Sequence, residues 1–172
     1  MYNPTLLFDA PITLVGGAEV SAKNFSESMQ FASTAIAADG GANTCLRYGV
    51  NPAAVIGDLD SIDEYSKTQI QEDLIHFISD QDDTDFEKAL KRIHAPLILG
   101  VGFLGDRADH QMAAQTALVK NFNKKVVLIG SHDLIFLTPP NFSLTLVNKC
   151  RVSLYPMGVC SVGSVGLKWN TE

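Results

Sequence analysis

The most constraining feature of this 172-residue sequence is a repeated order of short apolar run, polar loop and helix-length segment. Six such runs are mostly apolar without strict alternation, and Gly or Asp follows each of them closely. The runs are Ile12–Val15, Ala35–Ala38, Ala53–Ile56, Leu74–Ile78, Leu97–Val101 and Val126–Ile129. This pattern is typical of strands that are buried on both faces of a parallel sheet.

Helix-length segments separate these predicted strands. They are Asn24–Ala32, Asn43–Tyr48, Glu64–Glu72, Thr84–Ile93 and Asp109–Asn121. The alternation of strand and helix predicts a doubly wound, mostly parallel α/β domain over residues 1–140.

The pattern changes from about Asn141. Phe142–Val147 and Arg151–Tyr155 partly alternate between polar and apolar residues, which predicts antiparallel strands. The roughly 30 remaining residues are too few to close an independent β domain. We therefore expect residues 141–172 to be the beginning of a smaller, sandwich-like antiparallel β domain, which pairs with another segment or continues beyond this sequence.

Composition excludes several classes of function. The 13 Lys and Arg against 19 Asp and Glu give a net charge of −6, the opposite sign to that of a protein that binds nucleic acid by neutralising phosphates. The three cysteines show no C-x-x-C spacing, so neither a zinc site nor a disulfide framework is predicted. Because the sequence has no long apolar run and residues 1–17 lack a basic start, we expect a cytoplasmic protein without a membrane partner.

Ligands bind beyond the carboxyl ends of the strands in an open α/β sheet, so the polar loops at these positions are candidate sites. Asp39-Gly40-Gly41-Ala42-Asn43 follows the second predicted strand. Its glycines would let the backbone approach a ligand, and the next helix would offer free N–H groups to an anion. The alternative is a tight strand-to-helix turn with Asn43 as the N-cap.

Gly57-Asp58-Leu59-Asp60-Ser61 follows the third predicted strand. Two carboxylates separated by one residue can converge on a cation such as Mg²⁺, which prefers oxygen ligands; the alternative is a solvated turn. Residues 57–85 hold ten of the 19 acids and one lysine, Lys67. This concentration favours the cation, because like charges gathered at one edge of a sheet are costly unless a cation compensates them.

The segment 81–88 follows the fourth predicted strand and begins a helix. Thr84 and Glu87 have the spacing of a capping box. A capped helix also places Asp85 and Lys88 three residues apart, as neighbours on one face. The segment is therefore compatible with a helix start and with a contribution to the acidic site.

Gly100-Val101-Gly102-Phe103-Leu104-Gly105 matches the dinucleotide pattern G-x-G-x-x-G, but it follows the fifth strand and no acid lies about 20 residues further on. We therefore do not expect NAD or FAD to bind. Arg107, which follows, opposes the dipole of a helix N-terminus and needs an anionic partner. A polyphosphate would supply one, as would a local pair with Asp106 or Asp109. His110 is either a titrating or a structural residue.

The sequence contains no P-loop and no protein-kinase signature. Its polar loops resemble the motifs of the thiamine pyrophosphokinase family, which are A-D-G-G-A, G-D-x-D-S, Q-D-x-T-D-x-x-K, G-G-R-x-D-H and a later G-L-K-W. The corresponding segments are 38–42, 57–61, 81–88, 105–110 and 166–169. Five motifs in the same order cover most of the chain.

The resemblance implies a Rossmann-like, three-layer catalytic domain that transfers a pyrophosphoryl group from ATP to the hydroxyethyl oxygen of thiamine, giving thiamine diphosphate and AMP. It implies Mg²⁺ as the cofactor, with Asp58, Asp60 and Asp85 as ligands, and these three with Arg107 as the catalytic set. Contacts to ATP are implied for Asp39, Gly40, Gly41, Gln81, Thr84, Lys88, Arg107, Asp109 and His110. The general base is left open between Asp58 and Asp85.

The resemblance also implies a homodimer that binds thiamine between its subunits, with Trp169, the one tryptophan, stacked on the thiamine. Such stacking of an aromatic face on a cationic heterocycle contributes roughly 0.5–2 kcal/mol. The family has glycine where this chain has Asp106, which either adds negative charge beside the phosphates or caps the helix. The family continues with further strands after G-L-K-W, so we expect the β domain here to be truncated.

Two other functions would use the same Mg–nucleotide site. The acceptor would be another hydroxylated heterocycle, such as a pterin, or the chain would be a non-catalytic nucleotide-binding module. Thiamine binding and measured turnover separate these alternatives.

Overall fold

Strands buried on both faces form the centre of the fold. The computed structural model describes residues 5–105, 107–147 and 149–171. The chain divides into two units, Met1–Leu137 and Thr138–Glu172. The strands of the first unit are β1 (Leu6–Leu7), β2 (Ile12–Val15), β3 (Thr34–Ala38), β4 (Ala54–Gly57), β5 (Ile75–Phe77), β6 (Ile93–His94), β7 (Ile98–Val101), β8 (Val126–Ile129) and β9 (Leu134–Phe136). Its helices are α1 (Ala22–Phe31), α2 (Gly41–Arg47), α3 (Glu64–Gln69), α4 (Asp85–Arg92) and α5 (Ala108–Lys120), and Glu72–Leu74 forms a 3₁₀ turn.

Seven strands form one sheet in the order β5-β4-β3-β2-β7-β8-β9. All neighbours are parallel except β9, which runs antiparallel to β8. A second, two-stranded parallel sheet pairs β1 with β6. The chain builds outward from β2 on one side and then from β7 on the other, so the strand order reverses between them. Ligands bind at such a reversal in open α/β sheets.

Successive strand residues face opposite sides of the sheet, so the strands supply two separate cores. Leu14 and its equivalents in the other strands pack with Phe86 of α4 and with α5. Val15 and its equivalents pack with Phe25 of α1 and with α2. Covering both faces in this way confirms the predicted mostly parallel α/β architecture and gives the strand ends a rigid support.

Of the two predicted helix caps, Thr84 is confirmed and Asn43 is wrong. Thr84 is the N-cap of α4, and its side chain accepts a hydrogen bond from the Glu87 N–H at 3.3 Å. The Glu87 carboxylate, however, accepts from Lys120 Nζ at 2.7 Å, so the capping box is only half formed. Asn43 is not an N-cap, because α2 begins after Gly40 and Asn43 lies inside the helix.

The antiparallel strands predicted over Phe142–Val147 and Arg151–Tyr155 are not present in the described residues of the second unit. An isolated pair of strands is marginal in water unless it buries an apolar face. Here the apolar side chains of the second unit, such as Leu144 and Leu154, are exposed. Local alternation was therefore insufficient to predict strands.

None of the helices in the described ranges combines the length and apolar character that crossing a bilayer requires.

Candidate active site

The carboxyl ends of β3 and β4 bring three aspartates together. Asp39 follows β3, and Asp58 and Asp60 lie in the loop after β4. One carboxylate oxygen of each lies within 4.8 Å of those of the other two. We call these three residues the acidic cluster. The sequence predicted Asp58 and Asp60 as metal ligands, and the structure adds Asp39, which had been predicted as an ATP contact.

Two glycines permit the close packing around this cluster. A Cβ on Gly57 would lie 2.8 Å from Asp39 Cβ, so a side chain there would push the neighbouring strand end away. A Cβ on Gly41 would lie 1.9 Å from the carbonyl oxygen of Val15, so only glycine lets α2 begin against β2. Packing thus explains the glycine at position 41. The predicted phosphate contact of Gly40 and Gly41 stays a prediction.

Asp39 is the most buried member of the cluster, with 2% of its surface exposed. Its Oδ2 accepts a hydrogen bond from the Ser61 N–H at 3.2 Å. Its buried Oδ1 receives none from the described residues. Burial raises the pKa of Asp39, and the charge of Asp85 adds to this, against the opposing hydrogen bonds from Ser61.

Asp58 lies in the opposite electrostatic environment. Its Oδ2 accepts hydrogen bonds from Gln81 Nε2 at 2.9 Å and from Lys88 Nζ at 3.5 Å. The hydrogen bond from Gln81 lowers the pKa of Asp58 most, and the charge of Lys88 lowers it further. Like Asp39, Asp58 has a buried Oδ1 that receives no hydrogen bond from the described residues. Two open carboxylate oxygens therefore belong to one cluster.

Lys88 is a buried cation between two predicted metal ligands. Its side chain is 3% exposed, and its Nζ lies 2.9 Å from Asp85 Oδ1 and 3.5 Å from Asp58 Oδ2. Burial opposes its charge, but the hydrogen bond and charge of Asp85, followed by those of Asp58, raise the pKa of Lys88 overall. Asp85 is therefore beside the acidic cluster and connected to it through Lys88, rather than one of its three converging members.

Two of the three acids at 80–83 have local partners. Asp80 accepts from the N–H of Asp82 at 2.9 Å, and Asp83 forms an ion pair with Lys91. Thr84 is likewise engaged as the cap of α4. The concentration of acids in the sequence therefore overstates the number of carboxylates that converge on one point.

The acidic cluster fits a divalent cation. At 4.8 Å, two carboxylates repel each other by about 3 kcal/mol at an effective dielectric constant of about 20. Among the described contacts of the cluster, Lys88 supplies one compensating positive charge. The carboxylate oxygens, two of them open, are the hard ligands that Mg²⁺ prefers.

Two residues whose roles the sequence did not predict, Asn43 and Ser61, support the loop of Asp58 and Asp60. Ser61 donates its backbone N–H to Asp39. Asn43 donates from Nδ2 to the Ser61 carbonyl at 3.0 Å and accepts at Oδ1 from the Asp63 N–H at 3.1 Å. Both residues stand in the singled-out motifs, but only the tertiary contact between α2 and this loop assigns them their roles.

Glycines also connect the loops at the strand-order reversal. A Cβ on Gly102, where φ is +78°, would lie 2.5 Å from the Gly16 carbonyl oxygen. A Cβ on Gly16 would in turn lie 2.5 Å from the Gly102 carbonyl oxygen. This mutual contact accounts for a glycine of the G-x-G-x-x-G match without a dinucleotide. Gly16 was missed, although a Gly-Gly pair directly after a strand is a usable signal.

Arg107 precedes α5 and pairs with Asp109. The Nη2–Oδ2 and Nε–Oδ1 distances are 2.6 and 3.2 Å. The hydrogen bond from Arg107 is the main cause that lowers the pKa of Asp109 to about 2. Both side chains are about two-thirds exposed, and His110 is exposed in the same helical turn. Of the anionic partners predicted for Arg107, the structure therefore contains the local ion pair with Asp109. Asp106 lies outside the described residues.

Trp169 lies in the second unit, within a turn closed by hydrogen bonds between Ser164 and Thr171. Its side chain is 78% exposed. The Lys168 ammonium lies 4.4 Å from the centroid of its ring. The indole therefore already accepts a cation, which is the type of contact predicted for thiamine.

The model of the thiamin pyrophosphokinase catalytic domain matches residues 25–129, more than half of the chain. The chain belongs to the thiamin pyrophosphokinase family. The matched residues include the acidic cluster, Lys88 and Arg107. The resemblance seen in the sequence motifs is therefore confirmed.

Curated relatives and solved structures agree with this family membership. The chain is 29% identical over 171 residues to thiamine pyrophosphokinase 1 of Oryza sativa subsp. japonica, in an alignment that covers 80% of this chain and 65% of the relative. It is also 29% identical to thiamine pyrophosphokinase 2 of Arabidopsis thaliana over 178 residues, with the same two coverages. The chain thus spans slightly less than two-thirds of the length of these relatives.

The fold is that of solved thiamine pyrophosphokinases. The crystal structure of the Bacillus subtilis protein superposes with a TM-score of 0.63 at 27% identity, covering 76% of this chain and 65% of that one. The Candida albicans protein superposes with a TM-score of 0.64 at 18% identity, covering 74% and 60%. The second likeness is one of fold alone.

Proposed function

We propose that the protein to which this chain belongs transfers a pyrophosphoryl group from ATP to the hydroxyethyl oxygen of thiamine, giving thiamine diphosphate and AMP. The observation that carries the proposal is the acidic cluster. In a member of the thiamin pyrophosphokinase family, it lies at the carboxyl edge of the sheet with two open oxygens and a buried lysine beside it.

Asp39, Asp58 and Asp60 would hold Mg²⁺, and Asp85 would complete its surroundings through Lys88 or by direct contact. When bound, Mg²⁺ neutralises negative charge on the phosphate oxygens. The hydrogen bond from Gln81 and the charge of Lys88 lower the pKa of Asp58, so both contacts favour the ionised carboxylate, which is the form that binds a cation.

Arg107 would bind the phosphates of ATP. An exposed guanidinium that already holds a carboxylate in two hydrogen bonds is suited to a phosphate, which takes the same paired geometry. Asp109 would then release Arg107 or keep it oriented. Thr84, His110 and the backbone of Gly40 and Gly41 are proposed as further contacts to the nucleotide.

Trp169 would stack on thiamine, in a homodimer whose subunits share the site and in a β domain that begins near residue 141. Its exposed indole supports this role. The cytoplasmic location stays a prediction.

Product analysis tests the proposed function. The full chain is incubated with Mg-ATP and thiamine, and nucleotides and thiamine esters are separated and quantified. AMP and thiamine diphosphate in equal amounts support the proposal, and ADP with thiamine monophosphate would replace it with a different transfer. Binding of Mg-ATP without any product would leave a nucleotide-binding module or an enzyme with another acceptor, such as a pterin.

Two variants assign the residues in the same assay. Asp58→Asn should abolish turnover and raise the Mg²⁺ concentration required. Trp169→Ala should raise the KM for thiamine and leave Mg-ATP binding unchanged. Lys23→Ala is the matched surface control, because Lys23 forms an exposed pair with Glu27 on α1.

A further inference from the structure

The loop that carries Asp58 and Asp60 cannot hold its shape by local preferences alone. Leu59, between the two acids, has a φ of +65°, a left-handed conformation that costs a non-glycine residue about 1–2 kcal/mol. Repulsion between the two carboxylates and Asp39 also favours an open loop. External contacts must therefore fix the loop.

Asn43 supplies two such contacts from one side chain. Its amide donates to the Ser61 carbonyl and accepts from the Asp63 N–H, so it is hydrogen-bonded to the loop backbone on both sides of Ile62. This pattern needs a donor and an acceptor at the end of a short side chain, which an amide provides and a hydroxyl or a carboxylate provides less completely.

Asn43 is itself rigidly placed. It lies in the first turn of α2, and α2 begins against β2, where Gly41 leaves no room for a side chain. Packing of α2 against β2 therefore fixes Asn43, and Asn43 in turn fixes the backbone that follows Asp60.

We infer that Asn43 is a positioning residue that sets the metal affinity of the acidic cluster, an inference that rests on the proposed Mg²⁺ site. Without its amide, the loop occupies arrangements in which Asp60 no longer converges with Asp39 and Asp58. Loss of a residue that orients metal ligands typically lowers metal affinity about 10–100-fold. Because Asn43 touches backbone and not the ligand oxygens, we expect the lower end of this range.

Asn24 provides a matched control. Its Nδ2 donates to the Gly130 carbonyl at 2.9 Å, also far away in sequence, and it lies on α1 with no contact to the acidic cluster among its described hydrogen bonds. Asn24→Ala and Asn43→Ala each remove an amide that bonds to backbone. A general loss of stability should affect both variants alike.

The experiment measures Mn²⁺ binding to the full chain by electron paramagnetic resonance, for wild type, Asn43→Ala and Asn24→Ala, well below their melting temperatures. We expect the Kd for Mn²⁺ to rise about tenfold in Asn43→Ala and to change less than twofold in Asn24→Ala. Amide exchange at Asp63 should accelerate in Asn43→Ala alone, because its N–H loses its acceptor.

Equal Kd values in wild type and Asn43→Ala, or equal losses in the two variants, would overturn the inference and leave the metal site standing. Absence of Mn²⁺ binding by the wild type would overturn the proposed metal site, and the inference with it. Since the wild-type titration alone decides the second case, the two failures are distinguishable.

Discussion

Replacing Asp39 by Asn should make the metal-free protein more stable than the wild type. In excess Mg²⁺, the same variant should be less stable than the wild type. The substitution keeps the size of the side chain and an oxygen that accepts from the Ser61 N–H. It removes a charge that is 98% shielded from water, given its 2% exposure.

The magnitude follows from the separation of the carboxylates. Two charges within 4.8 Å repel by about 3 kcal/mol at an effective dielectric constant of about 20. Lys88 neutralises part of the charge of Asp58, and Asp60 is exposed to water. The free energy of unfolding of Asp39→Asn should therefore exceed that of the metal-free wild type by about 1–2 kcal/mol at pH 7.

The pH dependence has a definite sign. Burial raises the pKa of Asp39 in the folded state above the ordinary value of 3.8. The folded wild type therefore binds a proton more readily than the unfolded chain, and it loses stability as the pH rises from 3.8 through the raised pKa. The gain from Asp39→Asn should be present above this interval and disappear below it.

Urea unfolding in EDTA and then in excess Mg²⁺ is the assay. Mg²⁺ should stabilise the wild type in proportion to the logarithm of its concentration and stabilise Asp39→Asn little. Asp60→Asn is the control, since removing an exposed charge should leave metal-free stability almost unchanged while also reducing the effect of Mg²⁺. A less stable Asp39→Asn in EDTA, or an unchanged effect of Mg²⁺ in that variant, would refute the reasoning.

Three further substitutions test other parts of the site. Lys88→Met should lower the free energy of unfolding by about 3 kcal/mol, because it leaves the partly buried carboxylates of Asp58 and Asp85 without the buried ammonium between them. Lys91→Met should cost less than about 1 kcal/mol, because the Lys91 side chain is exposed, and urea unfolding compares the two variants. Gly41→Ala should lower the free energy of unfolding by about 3 kcal/mol, because its Cβ would lie 1.9 Å from the carbonyl oxygen of Val15 in β2. Calorimetry would show this as a lower Tm. Arg107→Ala should barely change stability but reduce kcat for pyrophosphoryl transfer about 100-fold or more, and the pKa of Asp109 measured by NMR should rise from about 2.

The buried strands could be predicted because their information is local. An apolar run such as Ile12–Val15 or Val126–Ile129 needs no partner to be recognised, and both have the predicted bounds. Phe142–Val147 was predicted by an equally local signal, yet a half-buried strand also needs a neighbour and an apolar face to cover. No described residue of the second unit supplies these, so the pattern was insufficient.

The membership of Asp39 in the acidic cluster depends on register. Ala38 pairs with Ile56 across the sheet, so Asp39 lies beside Gly57, the residue that precedes Asp58 in the chain. A shift of one residue between β3 and β4 would turn Asp39 to the other face. The sequence contains the aspartate and the glycine but not their pairing, so Asp58 and Asp60 were predicted as a pair and Asp39 was not placed with them.

The same dependence on tertiary contact explains the role of Asn43. Local sequence favours asparagine as an N-cap, yet the helix begins earlier because Gly41 fits against the Val15 carbonyl. The amide is then free to bind the loop after Asp60. A steric requirement for glycine at one position thus releases a polar side chain two residues later for a different contact.

Rigid glycine contacts and the proposed affinity for a cation have a common origin. Three like charges would normally separate until their repulsion became small, and flexible loops would allow this. Here Gly57 packs against Asp39, and Gly41 fixes the helix from which Asn43 binds the backbone that follows Asp60. Because these packing contacts hold the three acids together, their repulsion persists in the metal-free state. Relief of this repulsion then contributes in full to the free energy of cation binding. Substitutions that remove the contacts of Gly57, Gly41 or Asn43 should therefore weaken cation binding even though all three aspartates are retained.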